Sequence, residues 1–389
     1  MHSGQPWTKV LDLRAKRAIW ALRATPSLAD VYDRRRNNFD VLRFTLASAV
    51  IWSHCYALAG RPMDPVFRLT GQIDAGSLSV ESFFVLSGFL ITQSWDGDPD
   101  LRSFTVKRAL RLVPALLAAL VFGALIVGPL ATTAPLAEYV TSLSTWAHFG
   151  SVALHRYLAS PLLFADNPVP HQLNASLWSL RYEIMCYCFV ALLGRVGARL
   201  SVASAVLVGG GLAAQALLTW AGADAGVAAT FARLVACFFA GGLLYALRRR
   251  VPFSPLVALA AALVLGASAL LGGFRFVFPL AGTYLLLFLA CWPALRLQGF
   301  GRHGDFSYGL YVFAYPIQQS IVQWAGSSIS MPAFFALAYV PTLTLAVLSW
   351  HFIEAPSLAR KPRRAVPGVA PAPRPTGPVW AVTPSEGSS

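Results

Sequence analysis

Apolar residues in this chain follow neither the alternation of half-buried strands nor the narrow stripe of a surface helix. They come in long, nearly unbroken blocks. A helix needs about 20 mostly apolar residues to cross a bilayer core, and fewer where flanking groups snorkel. Ten blocks meet that need: residues 39 to 58, 76 to 94, 109 to 130, 175 to 193, 201 to 221, 229 to 247, 254 to 271, 275 to 293, 305 to 324 and 333 to 353. The pattern predicts an all-α fold, a polytopic transmembrane helix bundle of ten spans.

Composition agrees with the blocks. Of 389 residues, 56% are hydrophobic and 12% charged, about half the charged share of a soluble domain. The net charge of +14 raises the question of nucleic acid. The arginines flank apolar blocks instead of forming a continuous basic face, so lipid headgroups and no nucleic acid are the expected partners. Cys55, Cys186, Cys188, Cys237 and Cys291 all lie within apolar blocks without C-x-x-C spacing, so neither a zinc site nor a disulfide framework is expected.

Loop charges test the span count. One set of connections carries Arg34 to Arg36, Arg102/Lys107/Arg108/Arg111, Arg195/Arg199, Arg248 to Arg250, Arg296/Arg302 and Arg360/Lys361/Arg363/Arg364. The alternate set carries Arg61/Arg68, Arg156 and Arg275. By the positive-inside rule this alternation predicts both termini in the cytoplasm, in a multi-pass protein of the inner (cytoplasmic) membrane. The first block follows too long a leader, and holds too many polar groups, for a cleaved signal peptide. The expected organisation is a basic leader over 1–36, a transmembrane domain over 37–354 and a disordered Pro- and Ala-rich tail over 355–389. Within the leader, residues 9 to 24 read either as a basic amphipathic helix on the inner leaflet or as a solvated segment. The connection from 131 to 174 is long for its position and holds His148, His155 and His171. It reads as a cover over a site or as a loop resting on headgroups.

Several blocks hold polar groups that a bilayer tolerates only with a function or a partner. Arg43 and His54 are eleven residues apart in the first block. At about 100° per residue they fall within ~20° of one face, separated by ~16.5 Å of rise. Separately they read as a snorkelling anchor and an interhelical hydrogen-bonding group. Together they suggest chemistry, since a neutral buried imidazole accepts a proton from a hydroxyl near neutral pH. The second block has Glu81 near its outer end and Ser87-Gly88 in its middle. Gly88 permits close approach of a helix or an acyl chain, and helix packing suits Ser87 better than a nucleophile's role. Arg108 and Arg111 share a face at the inner end of the third block. They serve either as positive-inside flanks or as guanidinium forks for the phosphates of a donor such as coenzyme A. Glu183 lies inside the fourth block after Trp178 and Tyr182. It calls for a partner on another helix, with His54 or Arg43 as candidates.

In this order these residues resemble the acyltransferase-3 family of membrane O-acyltransferases, from about Asn37 to Glu354. The resemblance rests on Arg43-x10-His54, the run from Phe83 to Ile91, Arg108-x-x-Arg111, Leu177-Trp178-Ser179-Leu180 with Glu183, the run from Phe306 to Tyr311, and Phe352-Ile353-Glu354-x-Pro356. Glu81 in place of Asp, Tyr315 in place of a frequent His, and Arg181-Tyr182 before Glu183 depart from the family pattern. The last two resemble the branch that modifies exopolysaccharides. The resemblance implies transfer of an acyl group, most often acetyl from acetyl-CoA as co-substrate, to a hydroxyl of a saccharide or lipid-linked glycan, with no bound cofactor or metal. It implies Arg43 and His54 as essential, Arg108 and Arg111 as serving the donor and Glu183 as a supporting acid. The expected site comprises His54, Arg43 and Glu183 as catalytic, Arg108, Arg111, Ser87 and Gly88 on the donor side, and Glu81, Trp178 and Tyr182 in acceptor or supporting places. The rival is a proton-coupled transporter or flippase of a glycan or acyl carrier, which inverted repeats would favour. No clear internal repeat is visible.

Overall fold

The computed structural model describes residues 25–150, 160–223, 226–295 and 297–361. Residues 9 to 24, read either as an amphipathic helix or as a solvated segment, His155, Arg156 and the tail from 362 onward lie outside them. Among the described residues the chain is helical, with two isolated β-bridges and no strand. A helix falls on each of the ten apolar blocks. We number them α1 (Phe39–Leu58), α2 (Ala75–Gly97), α3 (Leu101–Phe122), α4 (Leu180–Arg195), α5 (Leu200–Trp220), α6 (Val227–Ala246), α7 (Pro255–Leu271), α8 (Thr283–Cys291), α9 (Ser307–Ala325) and α10 (Met331–Ser349).

Eight of these segments, counted with their continuations, are long and apolar enough to cross a membrane. The other two depart for different reasons. α7 is apolar throughout but shorter, with 17 residues. α9 has length but carries Tyr308, Tyr311, Tyr315, Gln318, Gln319 and Gln323. Widened π-helical turns extend three of the helices, at Gly123–Val127 after α3, Phe278–Gly282 before α8 and Trp350–Glu354 after α10. The last leads into a further helical turn, Ala355–Ala359. The helix therefore runs past the point where the sequence reading places the start of a disordered tail.

The chain forms two compact units. The first comprises the described parts of Met1–Leu46, Asp64–Gln93 and Ala198–Arg302. Its centre is the crossing of α2 on α6, where a Cβ on Gly88 would lie 1.7 Å from the Phe238 carbonyl oxygen and one on Gly241 2.0 Å from that of Val85. Only glycine lets two backbones meet this closely. Glu81, 1% exposed, forms an ion pair with Arg233 of α6 at 2.6 Å near the same crossing. Asn38 donates through Nδ2 to the carbonyls of Leu289 and Trp292 at the end of α8, and Tyr32 and Tyr245 each meet Phe89 edge to face while Phe39 lies tilted against it.

The second unit comprises Ala47–Met63, Ser94–Gly197 and the described part of His303–Ser389. α9 is its axis, buried over nearly its whole length. α10 packs on it so closely that a Cβ on Gly309 would meet the Ala346 backbone at 2.7 Å. The segment leading into α4 is stitched to α9 as well: Asn174 Nδ2 donates to the Val312 carbonyl at 2.8 Å, and the Tyr311 hydroxyl donates to the Ser176 carbonyl. α1 and α2 each continue from one unit into the other.

The connection from 131 to 174 has structure of its own. It holds the helical turns Leu136–Thr141 and Leu143–Ala147 and a bridge between Thr132 and Leu163. A small core of Val127, Ala131, Tyr139, Leu163, Phe164 and Leu173 lies beneath. Burial pulls the His148 imidazole down to about 4, so it is neutral at physiological pH.

Candidate active site

The site is built along α9. Near its start, the phenol of Tyr308 donates to the Leu112 carbonyl of α3 at 3.0 Å, and the Arg111 guanidinium lies 5.7 Å from the Tyr308 ring. Two turns later the ring of Tyr315 meets the His54 imidazole edge-on, with centroids 5.5 Å apart and planes at 83°. Seven residues of helix place these contacts ~10.5 Å apart along the axis. One turn beyond Tyr315, Gln318, fully buried, donates through Nε2 to the Ile51 carbonyl at 2.8 Å and to Cys55 Sγ at 3.2 Å. α9 thus grips α1 on both sides of His54.

At the basic end the two arginines of the Arg-x-x-Arg pair have different surroundings. Arg111 forms ion pairs with Asp305 at 2.5 Å and with Glu354 at 3.4 Å. Glu354 ends the π turn after α10 and is itself held by Ser349 Oγ at 3.1 Å; Asp305 accepts from Ser307. Arg108 instead lies 6.0 Å from the rings of both Phe104 and Tyr187. Lys107 pairs with Asp98 at 2.5 Å. Lys361 completes the group: burial, together with the charges of Arg108, Arg111 and Lys107, pulls its ammonium down to about 8.

Glu183 accepts a hydrogen bond from the phenol of Tyr187, one turn along its own helix. The sequence reading expects its partner on another helix, in His54 or Arg43; Tyr187 supplies one locally. Glu183 also acts electrostatically on Tyr308, as do Arg111 and Glu354. Trp178 sits in the 3₁₀ turn Ala175–Ser179 that opens the fourth span, edge-on to Tyr182, and Arg181 lies over the Tyr182 ring at 4.6 Å. Arg43 and His54 are both half-buried on α1, with Ala47 and Val50 buried between them.

His54, Arg108, Arg111, Trp178, Tyr182 and Glu183 therefore belong to the second unit, whereas Arg43, Glu81, Ser87 and Gly88 belong to the first. Within that first unit Gly88 serves the α2–α6 crossing and Glu81 the pair with Arg233, so both have packing work beside any other role. Sequence reasoning missed Asp305, Lys361, Gln172 and the glutamines of α9. An adjacent pair of uncharged polar residues inside an apolar block, Gln318-Gln319, is the signal that marks the last of these.

A family model described as an acyltransferase domain matches residues 36–351. The chain belongs to the acyltransferase-3 family. Over 365 residues the acyltransferase is 28% identical to nodulation protein 10 of Rhizobium leguminosarum bv. viciae, covering 83% of this chain and 93% of that protein. Over 351 residues it is 27% identical to an O-acetyl transferase of Shigella phage Sf6, covering 84% and 97%. No solved structure matches it. Its multiple apolar helices and its family make it a multi-pass membrane O-acyltransferase.

Proposed function

We propose that this enzyme transfers an acetyl group from acetyl-CoA to a hydroxyl of a cell-surface or exported saccharide at the inner membrane, with His54 as general base. The observation that carries the reading is the arrangement along α9. A basic cluster of Lys107, Arg108, Arg111 and Lys361 lies at one end and the imidazole of His54 lies about two helical turns deeper. An acyl-CoA has that shape, with phosphates at one end of a flexible arm and a thioester at the other. Arg108 and Lys361 would take the phosphates, and Arg111, already neutralised by Asp305 and Glu354, would hold the frame.

In the direct route His54 accepts the proton of the acceptor hydroxyl while its oxygen attacks the thioester carbonyl. A C–O bond forms, the C–S bond breaks, and the coenzyme A thiolate leaves and takes the proton back from the imidazolium. A route through an acetylated side chain remains a second path to the same product. Glu183 would support the charge developed nearby, and Arg43, eleven residues before His54 on the same helix, is a further candidate for the catalytic set. The similarity to the phage O-acetyl transferase favours acetyl as the group moved.

His54→Ala is expected to abolish acetylation of the host glycan, followed with labelled acetyl-CoA, while the amount of folded protein in the membrane stays at the wild-type level. Unchanged acetylation would overturn the reading. A transporter or flippase predicts no consumption of acyl-CoA at all.

A further inference from the structure

A histidine that must accept a proton has to present its lone pair in one direction. The torsion that turns its ring is broad and only weakly self-determined. Neighbouring groups must therefore set the imidazole plane. Tyr315, 5% exposed, makes a ring contact with His54, edge-on at 5.5 Å. The Tyr315 hydroxyl in turn donates to Gln172 Oε1 at 3.1 Å.

Gln172 belongs to the connection before α4, and that connection is fixed to α9 by a ladder of amides. Gln319 Nε2 donates to the carbonyls of Val169 and Gln172, at 2.8 and 3.1 Å. Asn167 Nδ2 donates to the Gln319 carbonyl and to its Oε1, at 2.9 and 2.8 Å. Gln323 Nε2 reaches the Ala131 carbonyl at 2.9 Å. The residue before Gln172, His171, has φ 58°, a left-handed conformation that a non-glycine residue keeps only where its surroundings impose it. Pro168 of the same connection faces Gly60, just beyond the end of α1, where a Cβ would meet the proline ring at 3.0 Å.

We propose that Tyr315 is a positioning residue for His54 and that Gln172 sets Tyr315, so that the connection before α4 fixes the plane in which the acceptor hydroxyl meets the imidazole. This rests on the reading of His54 as the proton acceptor. It gives a place in the reaction to Tyr315, one of the positions at which this chain departs from the family pattern, and to Gln172.

The test is steady-state kinetics of the full-length protein in membrane vesicles, with labelled acetyl-CoA and chemically de-O-acetylated surface polysaccharide from the source cells. Tyr315→Phe keeps the ring and removes the link to Gln172. It should lower kcat about tenfold and leave the KM for acetyl-CoA unchanged, because only the chemical step loses alignment. Gln172→Ala should reproduce that loss, and the double variant should be no worse than either single one, since all three break the same link. Tyr315→Leu, which also removes the ring, should lose about 100-fold, with thermal unfolding checking that it folds. Wild-type kcat in Tyr315→Phe and Gln172→Ala, losses that multiply in the double variant, or an effect confined to the KM for acetyl-CoA would each overturn the proposal. An active His54→Ala would instead overturn the underlying reading, and this inference with it.

Discussion

Arg108 and Arg111 sit one helical turn apart and carry the same charge, yet their surroundings divide the work between them. Arg111 is committed to Asp305 and Glu354. Breaking a buried pair by removing one partner costs about 3–5 kcal/mol, so Arg111→Ala should lower the thermal stability of the purified protein strongly. A folded Arg111→Ala whose only defect is a raised KM for acetyl-CoA would contradict this assignment. Lys361 allows a titration test. Its ammonium is held down to about 8 by burial and by Arg108, Arg111 and Lys107. It is charged below that pH and loses its charge above it, so the contribution to phosphate binding proposed for it would be present at pH 7 and fall as pH rises through 8. The kcat/KM for acetyl-CoA should decline across that range in the wild type and less in Lys361→Arg, whose guanidinium stays charged. The Arg-x-x-Arg pair is visible in the sequence because both residues lie on one short stretch. The acids that claim Arg111 are not, because they come from far along the chain and only folding brings them near.

At the level of the helices, the ten apolar blocks are legible because burial in lipid demands unbroken hydrophobicity. The differences lie where hydrophobicity no longer decides. The third span begins at Leu101 instead of near 109 because Asp100 accepts from the Ser103 amide and caps an amphipathic first turn. The helix after α10 continues through a π turn past Glu354, which aims that carboxylate at Arg111. The crossing of α2 on α6 illustrates a second limit: Gly88 is conspicuous in the sequence, but whether it faces an acyl chain or a helix depends on a partner that sequence does not name. Its Cβ would collide with the Phe238 carbonyl, and overpacking of this kind typically costs about 1–3 kcal/mol. Gly88→Ala should therefore lower the melting temperature in detergent while the KM for acetyl-CoA of the folded fraction is unchanged. A raised KM with wild-type stability would return Gly88 to the donor side.

Across the whole molecule, large apolar side chains such as Leu125, Leu217, Leu263 and Val340 remain exposed along the helices, as a surface solvated by lipid requires. The charge alternation of the loops predicts the Arg248 to Arg250 turn in the cytoplasm and the turn between α9 and α10 on the opposite side. Arg249→Cys, in a cysteine-free background, should react with an impermeant maleimide only after the membrane is opened, whereas Ser327→Cys should react in intact cells. The reverse pattern would invert the topology and with it the side from which the donor enters.

The buried polarity of α9 also bears on how the protein is made. A segment with three tyrosines and three glutamines gains little from partitioning into lipid by itself when it leaves the ribosome. Its neighbour α10 is far more apolar and packs along it through Gly309. The pair is therefore best inserted as a hairpin, with α10 drawing its polar partner into the bilayer and the amide ladder closing only once both are there. Insertion in that order would leave the contacts of α9 with His54 to form after both helices are in the membrane.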